Sequence, residues 1–549
     1  MKPAGNLQTL TEELFSIRNQ YGAAFLLRKK TLLEEILRQP FKNKKALEAL
    51  SDTLLFLMAY PDDKQIHLLA TKTLAKLESE AITHENLQTQ LYNSGIAGST
   101  ICAEFGFEIV KWLRATYGKN VSLESITAPD GQILYILSAM MPHIESEILQ
   151  DENSTWKEWL KQNTRKGDDL LDTLINIFDN NTTRPEVKDE LWNALGIYIT
   201  VNHVPHLQLP ERITSIHYHD SLIKKVTLEK RPDEKPVKVK LTQAEAEKII
   251  ECGRMVLLRY IREIDPVSFS DPSLLSYYKL SHGVSIALYG MRNERRHPID
   301  SYMGYVAFKN GLPVAYAGSW VLFDSARIGL NIFAPYRGGE SLYIFEQILK
   351  LHKQAYRLHR FTADPYQIGK NNSDGIKSGA FWVYYKLGFR PMREDLQQLA
   401  EAEAQKILQQ KGYRSSSSVL KKLADSRLEL TVGKRGHVRF DANDLSVKYM
   451  QLVNEKYSGN RAAAQQHSLH RLLKLLKWEK LKINANLEYV LSNWSVILMA
   501  NENTWRSDKA FIALLKKIVL LKAAGSEEEY IFELQRSRKL RAMVEELFR

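Results

Sequence analysis

Two short stretches of the sequence carry residue types that could bind a ligand or move a proton. The first, "NIFAPYRGGES", joins a strand-like run to an amphipathic helix that starts near Ser341, and Arg337, Gly338 and Gly339 form the turn between them. Such a junction points backbone amides and the positive end of a helix dipole at one spot, which suits a phosphate or pyrophosphate. The glycines allow a ligand to approach the backbone closely, and Arg337 could add a charge-assisted contact.

Two common phosphate-binding motifs do not fit this turn. The P-loop needs a Lys-Ser or Lys-Thr pair after its second glycine, and Glu340-Ser341 stands there instead. The dinucleotide fingerprint needs glycine at three fixed positions, and only two adjacent glycines are present. The junction therefore indicates either an anion site of another kind or a turn with no ligand.

The second stretch, "SGAFWVYYKLGF" at residues 378–389, predicts a short helix that ends at Gly388. It is crowded with aromatic side chains, at Phe381, Trp382, Tyr384 and Tyr385. A phenol is protonated at neutral pH and can donate its proton to a reacting group. Tyr384 is therefore a candidate general acid, and the alternative is that it serves only as a core aromatic residue.

The elements around these stretches indicate mixed α and β structure. "SYMGYVAFKNGLPVAYAGSWVLFD" predicts two strands joined by a turn at Lys309-Asn310-Gly311, and "ARIGLNIF" predicts a third strand. A fourth strand is expected in "HRFTADPYQIG", just before the aromatic helix. Upstream, Thr242 and Glu245 form a capping-box pattern that opens another helix.

The change along the chain from helical to strand-like sequence patterns, and back to helical ones, predicts three regions. Residues 1–230 read as helices separated by breakers such as "AYPDD" and "NNTTRPE", so a helical domain is expected there. A charged, proline-containing stretch follows, and residues 231–400 hold the mixed section. Residues 401–549 are expected to be mostly helical, apart from a short hairpin at "LELTVGKRGHVRF".

Composition limits the classes of protein and of partner. With 549 residues and 44% apolar residues, the chain is long enough for several cored units. No run reaches the length of a membrane span, no apolar signal core opens the chain, and two lone cysteines fit a reducing compartment, so a cytoplasmic protein is expected.

The excess positive charge lies mainly in the last region. The formal net charge is +12, and residues 401–549 contain 27 Lys and Arg against 17 Asp and Glu. Such a segment can attract nucleic acid, an acidic protein or anionic lipid, although a solvated basic surface is the more common meaning of the pattern. Its amphipathic helices could lie on a membrane surface, but a core-facing apolar stripe is the favoured interpretation.

The order of these parts resembles the core of the general N-acetyltransferase (GNAT) superfamily. The stretch "A-x-x-x-Y-x-K-L-G-F" matches a superfamily motif at Ala380, Tyr384, Lys386, Leu387, Gly388 and Phe389. The resemblance covers roughly residues 300–391 and implies an α+β fold, with a central GNAT-like mixed sheet between an all-helical N-terminal region and a mostly helical, basic C-terminal region. "RGGES" and "GAFWVYYKLGF" are also similar to large bacterial proteins of unassigned function, which favours a bacterial source.

The resemblance implies roles for the two stretches, which would flank one cleft between diverging strands. The turn would hold the pyrophosphate of acyl-coenzyme A, with acetyl-coenzyme A expected, through Arg337, Gly338, Gly339 and Ser341. Asn372, in the long segment "KNNSDGIKSG", is expected beside the cofactor. Phe381 and Tyr385 would pack on the sheet, which leaves Tyr384 to donate a proton to the departing thiolate. Glu340 departs from the superfamily pattern: it would repel a pyrophosphate unless it points outward or binds another group.

An amine acceptor must lose a proton, so a base is expected within reach of it. Asp364, late on the fourth strand, is the first choice, although it could simply cap the turn at Pro365. Glu263 and Asp265 are second choices, or else a salt bridge at a helix end.

Other polar residues have weaker assignments. Arg295 and Arg296, in "MRNERRHPID", could clamp an anionic group of the substrate, or form a solvated charge run. His217 and His219 lack a nearby third ligand in sequence, and so does His297, so no metal is predicted.

Three functions remain open. The first is an acyltransferase that moves an acyl group from a coenzyme A thioester to an amine on a small molecule or protein. The second keeps the fold and uses charged tRNA as the donor of an aminoacyl or peptidyl group, which would suit the basic C-terminal region. The third is a GNAT-like module that only binds a ligand or partner.

Overall fold

Helices begin and end the chain, and most strands lie in its middle. The computed structural model describes residues 6–149, 155–206, 208–226, 228, 235–433 and 439–548. Within them the helices are α1 (Leu7–Ile17), α2 (Ala23–Leu37), α3 (Lys44–Ala59), α4 (Lys64–Thr83), α5 (Glu85–Gln90), α6 (Phe107–Tyr117), α7 (Asp130–Met140), α8 (His143–Leu149), α9 (Trp156–Asn163), α10 (Leu170–Asn180), α11 (Pro185–Leu195), α12 (Gln243–Arg259), α13 (Asp265–Ser268), α14 (Ser341–Tyr356), α15 (Pro365–Ile368), α16 (Ser373–Ser378), α17 (Ala380–Lys386), α18 (Glu394–Gln409), α19 (Ser417–Leu423), α20 (Ala442–Tyr457), α21 (Arg461–Leu475), α22 (Ala485–Ala500), α23 (Lys509–Ala524), α24 (Glu527–Arg536) and α25 (Arg538–Glu546). The strands are β1 (Ile101–Glu104), β2 (Val121–Ile126), β3 (Ile197–Val201), β4 (Val237–Val239), β5 (Ser276–Lys279), β6 (Val284–Tyr289), β7 (Ser301–Lys309), β8 (Leu312–Leu322), β9 (Ser325–Ile328), β10 (Asn331–Ile332), β11 (Arg360–Ala363), β12 (Arg390–Pro391) and β13 (Leu428–Thr431).

The N-terminal region is not all-helical, which corrects the sequence prediction. Strands β1, β3 and β2 form a three-stranded antiparallel sheet in that order, with Ile101 and Val121 both opposite Val201. Each strand has only four to six residues and lies between helices. Because the paired strands are distant in sequence, no local hairpin pattern predicts this sheet.

A large mixed sheet forms the middle of the molecule, as the α+β prediction expects. Its order is β12-β13-β11-β9-β8-β7-β6-β5-β4, and β10 pairs with β8. Strands β9 and β11 run parallel, whereas the other neighbouring strands of this sheet pair antiparallel. The predicted hairpin joins β7 to β8 through Asn310 and Gly311, both of which have positive φ as a tight hairpin turn requires.

The centre of the sheet is covered on both faces. Every residue of β7 is buried, so its run of apolar residues does not alternate with polar ones. Gly304 lies against Pro266 of α13, where an added Cβ would come within 2.6 Å of the proline ring. The next residue, Tyr305, points to the opposite face, where its ring meets His352 of α14 with centroids 5.4 Å apart.

Strand β13 ties the C-terminal region into the central sheet. Of the predicted hairpin at residues 428–440, residues 434–438 lie outside the described residues; its first strand is β13, which pairs with β11 on one side and β12 on the other. The sheet therefore extends past the predicted boundary at residue 400. This pairing requires strands that are far apart in sequence, which a local pattern cannot indicate.

The C-terminal helices form a bundle with its own apolar core, as their amphipathic pattern predicts. Trp494 and Leu515 are fully buried in that core, which also includes Phe323 at the end of β8. Within the bundle, Lys522 and Glu527 form a buried ion pair of 2.7 Å, and both also contact the start of β7: Lys522 donates to Asp300 O at 2.8 Å, and Ser301 donates to Glu527. None of the described helices combines the length and apolar character needed to cross a bilayer.

Candidate active site

The sheet divides beside the fourth predicted strand. Strands β9 and β10 keep one register along β8, with Ile328 opposite Ser319 and Asn331 opposite Tyr316. On this side β11 pairs with β9 and not with β10, so beyond Ile328 the sheet splits between β10 and the end of β11. Diverging parallel strands of this kind expose backbone groups to whatever lies between them. In this structure the Leu330 amide at the split donates to Oε1 of Gln367, at 3.3 Å.

The aromatic stretch forms helix α17, as predicted, between glycines with positive φ at Gly379 and Gly388. The side chains of Phe381 and Tyr384 are buried. Tyr385 is only partly buried and lies under the Arg390 guanidinium, 4.0 Å from its ring centroid. Phe381 is buried and Tyr385 packs against the core in part, as expected, but Tyr384 is also buried, because the i and i+3 positions share one face of a helix.

Tyr384 meets the helix that follows the glycine turn. Its ring contacts Phe345 of α14 edge-on, with centroids 4.9 Å apart, and also contacts Phe389 at 5.3 Å. Phe345 lies in the second turn of α14, whose first residue, Ser341, follows the glycine turn directly. The turn and the aromatic helix therefore lie at the same end of α14 and on the same side of the sheet.

The hydroxyl of Tyr384 is buried and unpaired. No group among the described residues makes a well-formed hydrogen bond with it, although the residue is only 1% exposed. Burial raises the pKa of the phenol well above its ordinary value, and the nearby Leu330 amide only partly offsets that rise. An unmet hydroxyl in such a position costs about 1–3 kcal/mol, which a ligand that accepts its proton would recover.

The glycine turn has the predicted form, but a protein side chain already lies against it. Gly338 has φ of +86°, and an added Cβ on Gly339 would lie 2.6 Å from the Tyr60 ring. The Gly339 amide donates to Tyr336 O at 3.2 Å, and the Glu340 amide donates to the Tyr60 hydroxyl at 3.4 Å. Tyr60, at the end of α3, therefore occupies the space that a ligand would need for close approach to the backbone.

The other two predicted phosphate ligands are Arg337, at the start of the turn, and Ser341, just after it. Arg337 is exposed, and its Nε donates to Ile332 O at 3.4 Å. Ser341 is half-buried at the start of α14. Arg18, from the C-terminal end of α1, brings a second guanidinium to within 3.9 Å of a Cβ built on Gly338. The exposed edge of the turn therefore carries two cations next to the helix N-terminus, which is favourable for an anion.

Glu340 binds another group, one of the two outcomes that the sequence allows. Its Oε2 lies 2.6 Å from Lys309 Nζ and 3.7 Å from His219 Nε2, and Oε1 accepts the Ile223 amide at 3.0 Å. The Lys309 and Glu340 side chains are fully buried. Burial alone would raise the pKa of the Glu340 carboxyl, but His219 and Lys309 outweigh it and lower that pKa to about 2.

Three histidines lie beside this ion pair. His217 and His219, which are close in sequence, have ring centroids 4.7 Å apart, and His282 joins them at 4.8 Å from His217. Burial and the neighbouring His219 lower the pKa of His217 to about 4. Among the residues that the structure describes, no group of three or more His, Cys, Asp or Glu has a geometry that could hold a metal ion.

Asp364 lies at the open end of the split, directly after β11. Its side chain does not cap the turn at Pro365. It instead forms ion pairs with Arg327 at 3.3 Å and Arg427 at 3.5 Å, and it is partly exposed. Arg427 also lines a groove of about 460 Å³, together with Arg360, Met392, Arg439, Asp441, Asp444 and Phe548. Because Arg427 pairs with both aspartates and Arg360 pairs with Glu429, the groove beside the candidate base has mixed charge.

The other predicted site residues have structural partners. Arg295 pairs with Asp189 and, at 3.2 Å, with Glu108 of the N-terminal region. Arg296 is buried and donates to Gly525 O at 2.7 Å, in the C-terminal region. These arginines therefore join regions of the chain: Arg295 pairs with the half-buried Asp189 and Glu108, and the buried Arg296 lies 3.6 Å from Glu527. Their role as a substrate clamp stays a prediction.

Asn372 and Glu263 also have partners in the protein. Asn372 caps α16 through the Gly375 amide at 3.1 Å and donates to Tyr366 O at 3.0 Å, so both ends of its amide are used within the segment. Glu263 accepts the Gly106 amide at 3.1 Å, which is a hydrogen bond to the backbone and not the predicted helix-end salt bridge. Asp265 is the first residue of α13.

Sequence reasoning missed several residues at this site. Tyr60, Lys309 and Gln367 each occupy or neighbour the predicted ligand positions, and Arg427 reaches Asp364 only because β13 enters the sheet. The one available signal was Glu340, whose unfavourable charge beside a phosphate meant that it either points outward or binds another group.

Comparison with protein-family models, with curated proteins and with solved structures finds no match to this chain. The geometry of the site and the sequence motif therefore carry its interpretation.

Proposed function

We propose that this protein is a GNAT-type N-acyltransferase that moves an acyl group from acyl-coenzyme A to an amine acceptor. One observation carries the proposal: the glycine turn and Tyr384 meet at the same end of α14, beside the split between β10 and β11. The turn supplies a helix N-terminus for a pyrophosphate, and the split supplies backbone groups and a phenol for a thioester.

The unpaired hydroxyl supports a role for Tyr384 in proton transfer. Its raised pKa keeps the phenol protonated at neutral pH, so it is a proton donor that no described protein group has engaged. Acyl-coenzyme A would supply a carbonyl carbon activated by a thiolate leaving group. Tyr384 gives its proton to the sulfur as the carbon–sulfur bond breaks, and the phenolate is reprotonated from solvent.

Asp364 is the proposed acceptor of the proton that leaves the amine. The attacking nitrogen must be a neutral amine, so an ammonium group first loses one proton to solvent. A second proton leaves the nitrogen as the new carbon–nitrogen bond forms and the carbon–sulfur bond breaks, and Asp364 takes up that second proton. Asp364 adjoins both the split and the groove lined by Arg360, Arg427 and Arg439. That groove combines the apolar Met392 and Phe548 with arginines and with Asp441 and Asp444, so it suits an acceptor that carries both apolar and polar groups.

The acyl-transfer proposal requires movement at two places. Gln367 covers the Leu330 amide, and Tyr60 lies against Gly339, so both must shift before a donor can reach the turn and the phenol. Such closed conformations reduce the apparent affinity for a ligand by the fraction of molecules that are open.

Calorimetry with acetyl-coenzyme A at low salt tests the proposal. Wild-type protein and Tyr384→Phe should bind the thioester with similar affinity, while acyl transfer by the variant falls about 100-fold. Failure of both to bind, with normal folding of Tyr384→Phe, would remove the acyl-coenzyme A assignment.

A second candidate keeps the fold and uses charged tRNA as the donor. It is favoured by four lysines that lie close together in or beside the connection between α21 and α22: Lys474, Lys477, Lys480 and Lys482. Within the part of the chain that the structure describes, none of these four lysines forms an ion pair with a carboxylate. Binding of tRNA that weakens steeply as salt rises would support this candidate, and no binding at low salt would remove it.

The third candidate, a module that binds a ligand or partner without catalysis, is favoured by the use of Gly339 as a packing site for Tyr60. It predicts that cells carrying Tyr384→Phe behave as wild type. If cells with this variant lose the function of the wild-type protein while its level stays normal, that result would argue against the third candidate.

A further inference from the structure

The end of α3 covers the glycine turn through contacts made by three consecutive residues. Ala59 O accepts Asn310 Nδ2 at 3.0 Å, next to the β7–β8 hairpin. The Tyr60 hydroxyl accepts the Glu340 amide, and Pro61 O accepts the His219 amide at 2.8 Å. We call these three residues the α3 end.

The α3 end is itself held in place from the N-terminal side. Tyr21 donates its hydroxyl proton to Tyr60 O at 3.2 Å. Just beyond Pro61, Asp62 forms a buried ion pair with Lys29 at 2.8 Å, and Lys29 also lies 4.6 Å from the Tyr21 ring centroid. The N-terminal helices therefore present the Tyr60 ring as a fixed group and not as a freely rotating surface side chain.

The Tyr60 ring occupies the space beside Gly339, where a ligand would have to lie to contact the backbone of the turn. A Cβ on Gly339 would meet two Tyr60 ring carbons at 2.6 Å, so glycine is needed there because of the tyrosine. The hydrogen bond that Tyr60 accepts comes from Glu340, one of the amides at the positive end of α14. An anion at this helix end would need the same space and the same amide.

From this competition we infer that the N-terminal helical region is an autoinhibitory cover, which keeps the donor site closed until the α3 end moves away from the glycine turn. This inference rests on the proposed acyltransferase function. At 3.4 Å the bond between the Glu340 amide and Tyr60 is long, so an anionic ligand can replace it with a shorter, charge-assisted one.

The Lys309–Glu340 ion pair can remain in place when the α3 end moves away from the turn. Lys309 and Glu340 both belong to the sheet region, so their ion pair does not depend on the α3 end. When Tyr60 leaves, Glu340 remains compensated by Lys309 and does not become a free carboxylate that repels a phosphate. Arg337, which belongs to the turn itself and is exposed, can then contact the same anion.

The test compares two tyrosine truncations in the full-length chain. Tyr60→Ala removes the group that covers the turn, and Tyr277→Ala removes an equally buried tyrosine of β5 that does not touch the turn. Titration with acetyl-coenzyme A should show at least a tenfold gain in affinity for Tyr60→Ala and no gain for Tyr277→Ala, because removal of the cover raises the fraction of open molecules.

The outcomes separate the cover from the function. Equal affinity of wild type and Tyr60→Ala overturns the cover and leaves the acyltransferase proposal standing. No binding by any of the three proteins overturns the acyltransferase proposal and the cover with it. If Tyr60→Ala does not fold, hydrogen exchange of Tyr60→Phe decides the question: the Glu340 amide should exchange at least tenfold faster than in wild type, and an unchanged rate overturns the cover.

Discussion

At the scale of single residues, the Lys309–Glu340 pair is the most consequential feature of the site. Both side chains are fully buried, and each compensates the charge of the other at 2.6 Å. Burial lowers the pKa of Lys309, and attraction to Glu340 partly offsets that change. The pair contributes to stability mainly because each charge compensates the other. An isolated buried charge would be very costly.

Removing one partner should therefore be more harmful than removing both. Glu340→Gln leaves the Lys309 ammonium uncompensated and should lower the free energy of unfolding by about 3–5 kcal/mol, whereas Lys309→Met combined with Glu340→Gln should recover part of that loss. Urea unfolding measures the difference. The exposed pair Arg393–Asp395 is the control, since Asp395→Asn should leave the unfolding midpoint unchanged. An unchanged midpoint for Glu340→Gln would contradict this account.

Tyr384 should be unusual among buried tyrosines because its hydroxyl has no partner among the described residues. Tyr384→Phe removes an unmet polar group, so the free energy of unfolding should stay the same or rise slightly. Tyr305→Phe is the matched control: its hydroxyl donates to Gly329 O at 2.6 Å, and its loss should cost about 1 kcal/mol. If Tyr384→Phe destabilised the protein as much as Tyr305→Phe, the hydroxyl would have a partner in solution.

At the scale of elements, the start of α14 combines two glycines with different physical needs. Gly338 requires its positive φ but has open space around it, since the nearest atom would lie 3.9 Å from an added methyl group. Gly339 requires space, because the Tyr60 ring occupies it. The sequence shows only that both are glycine, and the reason for each comes from its surroundings.

Alanine substitutions should separate these needs. Gly338→Ala should cost about 1 kcal/mol through backbone strain, and Gly339→Ala should cost about 1–3 kcal/mol because its methyl group overlaps the Tyr60 ring. Double-mutant cycles with Tyr60→Ala give the decisive measurement: the Gly339→Ala cost should largely disappear in that background, while the Gly338→Ala cost should persist. Additive costs at Gly339 would mean that Tyr60 does not cause the requirement for glycine.

At the scale of the whole molecule, buried histidines tie stability to pH. Burial is the main reason why the pKa is lowered to about 4 in three histidines, His206, His217 and His352. Their ordinary pKa is near 6.5, so the unfolded chain binds protons at these sites before the folded chain does. As pH falls from about 6.5 to about 4, the unfolded state is therefore favoured increasingly.

The free energy of unfolding should accordingly decrease steadily across this window. Asp52 and Glu263 act in the opposite sense, since burial raises their pKa to about 6 and about 7, but they are two groups against three histidines. Urea unfolding at intervals between pH 7.5 and pH 4.5, roughly the range before ordinary carboxylates titrate, measures the slope. His352→Gln should reduce that slope, and stability that rises on acidification would contradict the buried neutral histidines.

Local sequence patterns correctly predicted the elements whose signals lie within a few residues. The capping box at Thr242 and Glu245 opens α12, the Asn310–Gly311 turn joins β7 to β8, and the aromatic helix ends before Gly388. In each case the necessary capping group or glycine conformation is supplied by the stretch itself. The same reasoning could not find β1, β2 and β3, since their partners lie up to about 100 residues away.

The sequence by itself determined which residues could do chemistry: a glycine turn before a helix, a tyrosine in an aromatic helix, and a carboxylate at Glu340 that needed a partner. Only the tertiary structure decided what each of them contacts. It placed Tyr60 against the turn, Lys309 on Glu340 and Arg427 on Asp364, and among the described residues it left the Tyr384 hydroxyl unpaired. The physical reason is that hydrogen bonding, helix capping and turn geometry act between near neighbours, whereas burial and charge compensation depend on groups brought together from distant parts of the chain.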